Sequence, residues 1–167
     1  MVFYNNSFLV SCSSEQFYDR MFDALPSYLE NNPYFDHYQI IESGPTYRKC
    51  RIKKKNIFDF VPTMFQNFAS IQMFFKNIEV NHYNHDLKTI EWQVQNEQIA
   101  DLYLLHGKTT VRSAGGTGCI VSLELHFEFS KEHRNYFLRW IEDRVPRIIF
   151  NEIKILYTQF AHDSMRS

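Results

Sequence analysis

The chain is short of the residues that break a fold into loops: 5 glycines and 5 prolines stand among 167 residues. That scarcity argues against a disordered or loop-rich protein. Cysteine is scarce too. Cys12, Cys50 and Cys119 are odd in number, widely spaced and without a CxxC pair. This excludes a paired disulfide framework and fits a reducing, intracellular compartment. No apolar run approaches the length of a membrane span. The first residues have neither a basic start nor a long apolar core, so no cleavable targeting segment is expected. Excess charge is missing as well: Lys+Arg 18 against Asp+Glu 19 gives a net of −1. Nothing global draws the chain to nucleic acid, which is not an expected partner.

Chemistry-bearing motifs are equally absent. There is no GxSxG, no GxxxxGK[ST], and no GxGxxG opening a helix after a strand. Gly115-Gly116-Thr117-Gly118 sits between two strand patterns, where hairpin chemistry explains it. His82, His85 and Asp86 form a tempting cluster, but a turn supplies at most two ligands and zinc needs three or four. They are read as structural turn residues. The expectation is therefore a non-enzymatic protein without metal or cofactor.

What is abundant is aromatic: 16 Phe and 10 Tyr, with aromatics at 17 % of the chain. Codon drift in an AT-rich genome would produce this composition, and so would a large aromatic-lined core or cavity. The last third is the most telling stretch. Val121, Leu123, Leu125, Phe127 and Phe129 alternate with Ser122, Glu124, His126 and Glu128, as in a strand with one buried and one wet face. After Ser130 the period becomes helical, through Phe137, Trp140, Ile141, Val145, Ile148, Ile149, Ile153, Leu156, Tyr157 and Phe160. One stripe over roughly thirty residues is more than twice a typical helix length. Pro146 removes a backbone donor and crowds the carbonyl of Glu142, so the helix either bends there or breaks in two. Burying this helix requires a broad concave surface, such as a curved antiparallel sheet. Phe137, Trp140, Ile141 and Ile148 are candidates to line a cavity beneath it.

The remaining elements follow in order. Residues 2–12 read as a strand, and Ser13 with Gln16 as a capping box before Phe17, Met21, Phe22 and Leu25 at helical spacing. Pro26 kinks that helix or opens another short turn, and Asn31-Asn32-Pro33 ends it. Strands are expected at 35–43 and 46–54 around Ser43-Gly44-Pro45-Thr46, a short helix at 57–69, and further strands near 71–80, 88–95 and 99–112. Turns are expected at Asn81–Asp86 and at Asn96-Glu97. Antiparallel strands with helices gathered on one face make an α+β layout, here one domain over 1–167.

Two segments bear on function. The run Arg48, Lys49, Arg51, Lys53, Lys54, Lys55 is either a solvated, charged sheet face or a site for an anionic headgroup or membrane surface. Strand alternation places Lys49, Arg51 and Lys53 on one face and Arg48 on the other, with Cys50 and Ile52. Directly after it, Ile57, Phe58, Phe60, Val61, Met64, Phe65 and Phe68 are apolar on most sides. That segment is either core or a lid able to dip into lipid, giving peripheral membrane contact.

Taken in order, these elements resemble the START-like (helix-grip) superfamily, in which a curved sheet of about seven strands wraps a long C-terminal helix around a ligand cavity. The short helix before the fourth strand looks most like the PRELI/MSF1 branch of phospholipid-transfer proteins. Ile78-Glu79-Val80 and Tyr28 to Pro33 are reduced forms of that branch's motifs. The resemblance implies binding or transfer of a phospholipid or other apolar ligand, with Arg48, Lys49 and Arg51 as headgroup candidates and Phe58 to Phe65 as the lid. It further implies a mitochondrial location and a small helical protein partner. An accessory subunit of a larger complex with a side-chain-filled cavity is the alternative. A cyclase- or hydratase-type enzyme would require polar groups converging inside.

Overall fold

In a computed structural model, described over residues 1–54, 76–132 and 136–164, the chain runs β1 (Val2–Val10), α1 (Ser14–Asp23), α2 (Leu25–Glu30), β2 (Phe35–Ser43), β3 (Tyr47–Lys54), β4 (Lys76–Asn84), β5 (Thr89–Asn96), β6 (Tyr103–Ser113), β7 (Cys119–Phe129), α3 (Tyr136–Glu142) and α4 (Val145–Ser164). The strands form one antiparallel sheet in the order β1-β7-β6-β5-β4-β3-β2. This is the expected α+β grip. The lid segment 57–69 and the side chains of Phe137 and Trp140 lie outside the described residues.

Strand β7 buries every alternate residue, with Val121, Leu123 and Leu125 fully enclosed. Its partner β1 places Phe8 opposite Val121, and both belong to the main core with Phe17, Met21, Phe150 and Phe160. Helix α4 packs on β1 and β7. Helices α1 and α2 support its far end, where Phe160 meets Tyr28 at 5.2 Å and Phe17 at 6.5 Å between ring centroids. Ser13 caps α1 as expected, its hydroxyl accepting from Gln16 N at 3.2 Å, and Pro26 opens α2 as a separate helix. Gly115 and Gly116 carry the positive φ angles of the β6–β7 hairpin. No helix among the described residues is long and apolar enough to cross a membrane.

Two expectations are corrected, and one left open is decided. Of a bend or a break at Pro146 the chain takes the break: a short helix precedes the long one, parted at Asp143 and Arg144. Pro146 becomes the second residue of α4, where a missing N–H costs nothing. Glu142, freed from a continuous helix, is buried and accepts the Phe129 backbone N–H at 3.0 Å. Strand β4 runs on to Asn84 rather than stopping before Asn81, because Asn81 and Tyr83 have buried places on the inner face. The turn falls instead at 85–88, where His85 contacts the Pro45 carbonyl oxygen at 2.9 Å. Strand β6 starts at Tyr103, since Asn96 Oδ1 accepts the N–H groups of Gln98 and Ile99 and holds that chain in a turn. The fold also brings together two cysteines that are distant in sequence: the Cys12 and Cys119 thiols are neighbours and both are buried.

Candidate ligand-binding site

The inner face of the sheet has two halves. Over β1 and β7 it is dry and packed against α4. Over β2 to β5 it sets polar groups among apolar ones such as Ile52, Ile90 and Val94. The register sets Arg48 opposite Asn81, Cys50 opposite Glu79, and Asn81 opposite Trp92. Tyr38 of β2, Tyr83 of β4, Thr109 of β6 and Tyr157 of α4 add hydroxyls to the same region.

Most of these groups bond one another. Tyr38 Oη lies 3.1 Å from Cys50 Sγ, and Trp92 Nε1 donates to Thr109 Oγ1 at 3.2 Å. Arg48 donates to the Phe22 carbonyl at 2.7 Å and to Tyr83 Oη at 3.3 Å. Its guanidinium carbon also lies over the rings of Phe22 and Tyr83, 4.9 and 5.4 Å from their centroids. The inward cation foreseen from alternation is thus held by a helix C-terminal carbonyl and two aromatic faces, not by an anion. Its Nε has no hydrogen-bond partner among the described residues.

The headgroup candidates are divided between the faces. Arg48 is inside, whereas Lys49 and Arg51 lie on the outer face, partly exposed. Arg51 pairs there with Glu97, and Lys53 pairs with Asp36 at 2.8 Å. Lys54, on the inner face, reaches across to Glu152 of α4 at 2.8 Å and ties helix to sheet. Phe58, Phe60, Val61, Met64 and Phe65 lie outside the described residues, as do the side chains of Phe137 and Trp140. Ile141 is in the main core. Ile148 is half-buried, but the α4 residues packed against that core are Val145, Ile149, Phe150, Ile153, Tyr157 and Phe160.

Sequence reasoning missed Glu79. The surrounding protein desolvates its carboxyl and pushes the pKa up, against smaller opposing effects from Asn81 and Lys54. Asn81 Nδ2 donates to Oε1 at 2.7 Å. The other oxygen has no partner among the described residues. Yet Glu79 keeps part of its surface accessible. Glu79 is thus surrounded by protein on the inner face of the sheet and still partly accessible. Tyr157 shows the same combination, with its hydroxyl pKa also raised by burial. Burial likewise raises Tyr38 and Tyr83 and lifts the Cys50 thiol to about 11. These groups stay neutral at physiological pH, so the interior presents no thiolate nucleophile.

A sign follows for stability. A carboxyl whose folded pKa lies above its ordinary 4.5 contributes stability that is complete below that value and lost as pH rises. Glu79→Gln mimics the protonated form. Urea unfolding should show it neutral near about pH 4 and stabilising by about 1–3 kcal/mol near about pH 8. An equal effect at both values would show that Glu79 is not held in a desolvated site.

On the outer face, an open groove of about 340 Å³ runs along His82, Glu91, Gln93, His106, Lys108, Glu124 and His126. His106 and His126 stack at 4.7 Å, and Lys108 pairs with Glu91 at 3.4 Å. It lies on the opposite side of the sheet from the Glu79 cluster and reads as a solvated sheet face.

No family model and no curated protein sequence matches the chain. Its fold is shared with solved structures. A truncated norcoclaurine synthase from Thalictrum flavum superposes with a TM-score of 0.69 at 13% identity, covering 99% of this chain and 94% of that one. The ZhuI aromatase/cyclase from Streptomyces sp. R1128 gives 0.67 at 8% identity, over 96% and 90%. A START superfamily protein from Mycobacterium smegmatis gives 0.63 at 11% identity, over 96% and 97%. At such identities the likeness establishes the START-like helix-grip fold, shared by proteins with and without an enzyme's name.

Proposed function

We propose that the chain binds one apolar or amphipathic ligand of the lipid class between α4 and the inner face of β2 to β5, without chemically altering it. The observation that carries this reading is Glu79, accessible yet desolvated beneath the helix. Val94, Ile149, Ile153 and Tyr157 support it, since they pack against the core while keeping accessible surface. Apolar contact there contributes about 25 cal/mol per Å² of ligand surface removed from water. Protonated tyrosines and a thiol near 11 favour holding a ligand over attacking it.

A phospholipid, moved between membranes as in the PRELI branch, is the specific cargo suggested by the basic strand before the aromatic segment 57–69. Native mass spectrometry of the purified chain and transfer of a fluorescent phospholipid between liposomes test it. One lipid equivalent bound, or transfer above the protein-free rate, is the expected result. An empty protein without transfer activity would overturn the proposal.

A further inference from the structure

The open carboxyl of Glu79 sets a requirement on the ligand. Most inner-face polar groups bond one another: Tyr38 with Cys50, Trp92 with Thr109, and Tyr103 with Asn77. The cations are engaged too. Arg48 is held by Phe22 and Tyr83, with its Nε unpaired among the described residues, and Lys54 by Glu152. Glu79 has one oxygen bonded to Asn81 and the other without a partner among the described residues. A carboxyl surrounded by protein is normally met by a donor, and Glu79 keeps accessible surface through which one can reach it.

We propose that Glu79 receives the polar end of the bound ligand and that this end donates a hydrogen bond, as a hydroxyl or an ammonium group does. This rests on the binding reading above and narrows it. An ionised carboxylate accepts only, so a donor end matches its free oxygen and an anionic end is repelled. An ammonium would also add a counter-charge at the carboxyl, giving a charge-assisted bond. A hydroxyl would bond the carboxyl in either protonation state. The hydrocarbon tail would lie along Ile149 and Ile153, which face the core from the same helix as Tyr157.

Displacement of Nile red by dodecylamine, dodecan-1-ol and dodecanoate, below their micelle concentrations, tests this with one common tail. The amine and the alcohol should each displace the dye at least about tenfold more tightly than dodecanoate. An amine stronger than the alcohol identifies an ammonium end, and equal strength a hydroxyl. In Glu79→Gln the amine should lose about tenfold while the alcohol is retained. In Glu79→Leu both should fall to the hydrocarbon baseline. Dodecanoate binding as tightly as the others in the unsubstituted protein would overturn the inference, whether or not the variants fold. So would folded variants that leave the order unchanged. If none of the three displaces the dye, the binding reading itself fails.

Discussion

Gly107→Val should destabilise the protein by about 3 kcal/mol or more and lower its melting temperature by roughly 10 °C. Gly107 lies on the inner row of β6, paired with Trp92 on one side and Leu125 on the other. A Cβ there would stand 2.5 Å from Trp92 Cζ2 and closer still to the Glu124 carbonyl oxygen. The second obstacle is backbone and cannot swing aside. Glycine in a strand interior weakens it unless something must approach closely, and here the indole does. Displacing that ring also breaks the bond from Trp92 Nε1 to Thr109 and disturbs the floor beneath Tyr157. Gly44→Ala is the control, because no atom lies within 4 Å of a Cβ at that turn. Chemical unfolding of both variants checks the contrast. Equal, small losses would mean that β6 can shift where the structure allows no room.

The parts of the fold set by periodicity were legible in the sequence, and the parts set by pairing were not. The alternation of β7, the Ser13 cap and the inward turn of Arg48 all follow from one residue's relation to its near neighbours. Glu79 does not. Between Ile78 and Val80, simple alternation reads the glutamate as outward and its neighbours as inward. The register reverses this. Ile78 and Val80 share a face with Arg51 and Lys49, while Asn77, Glu79, Asn81 and Tyr83 share the inner one. Polar-in and apolar-out breaks the binary rule along half a strand, and such local violations are expected where function outweighs stability. The same reversal hides the site: no motif marks it, and its members come from six separate elements, β2 to β6 and α4. Arg48 was visible as a buried cation, but its holder is a carbonyl on α1, a contact no spacing along the chain encodes.

The terminal helix shows how a phase error arises, and it supplies the second large prediction. Residues two apart on a helix are about 200° apart, so Ile148 and Phe150 cannot face the same partner. A stripe carried through from Phe137 as one helix takes in Ile148 and passes over Phe150. The break before Pro146 starts a new helix whose buried side runs through Pro146, Phe150, Phe160 and Ala161. Phe150 is 4 % exposed, and its ring stands 5.5 Å from Tyr4 and 5.9 Å from Phe8, both on β1. It therefore pins α4 to the dry half of the sheet, while Leu156 packs against the Tyr38, Cys50 and Ile52 cluster of the other half. Phe150→Ala should cost about 3–5 kcal/mol, as for other buried phenylalanines. Ile155→Ala, at a side chain 49 % exposed on the same helix, should fall within about 0.5 kcal/mol. Because the lost contact fixes the helix rather than the ligand, Phe150→Ala should also weaken displacement by dodecylamine and dodecanoate by similar factors. Glu79→Gln should change their ratio instead. A Phe150→Ala variant as stable as the unsubstituted protein would mean that α4 is held by something other than its seat on β1.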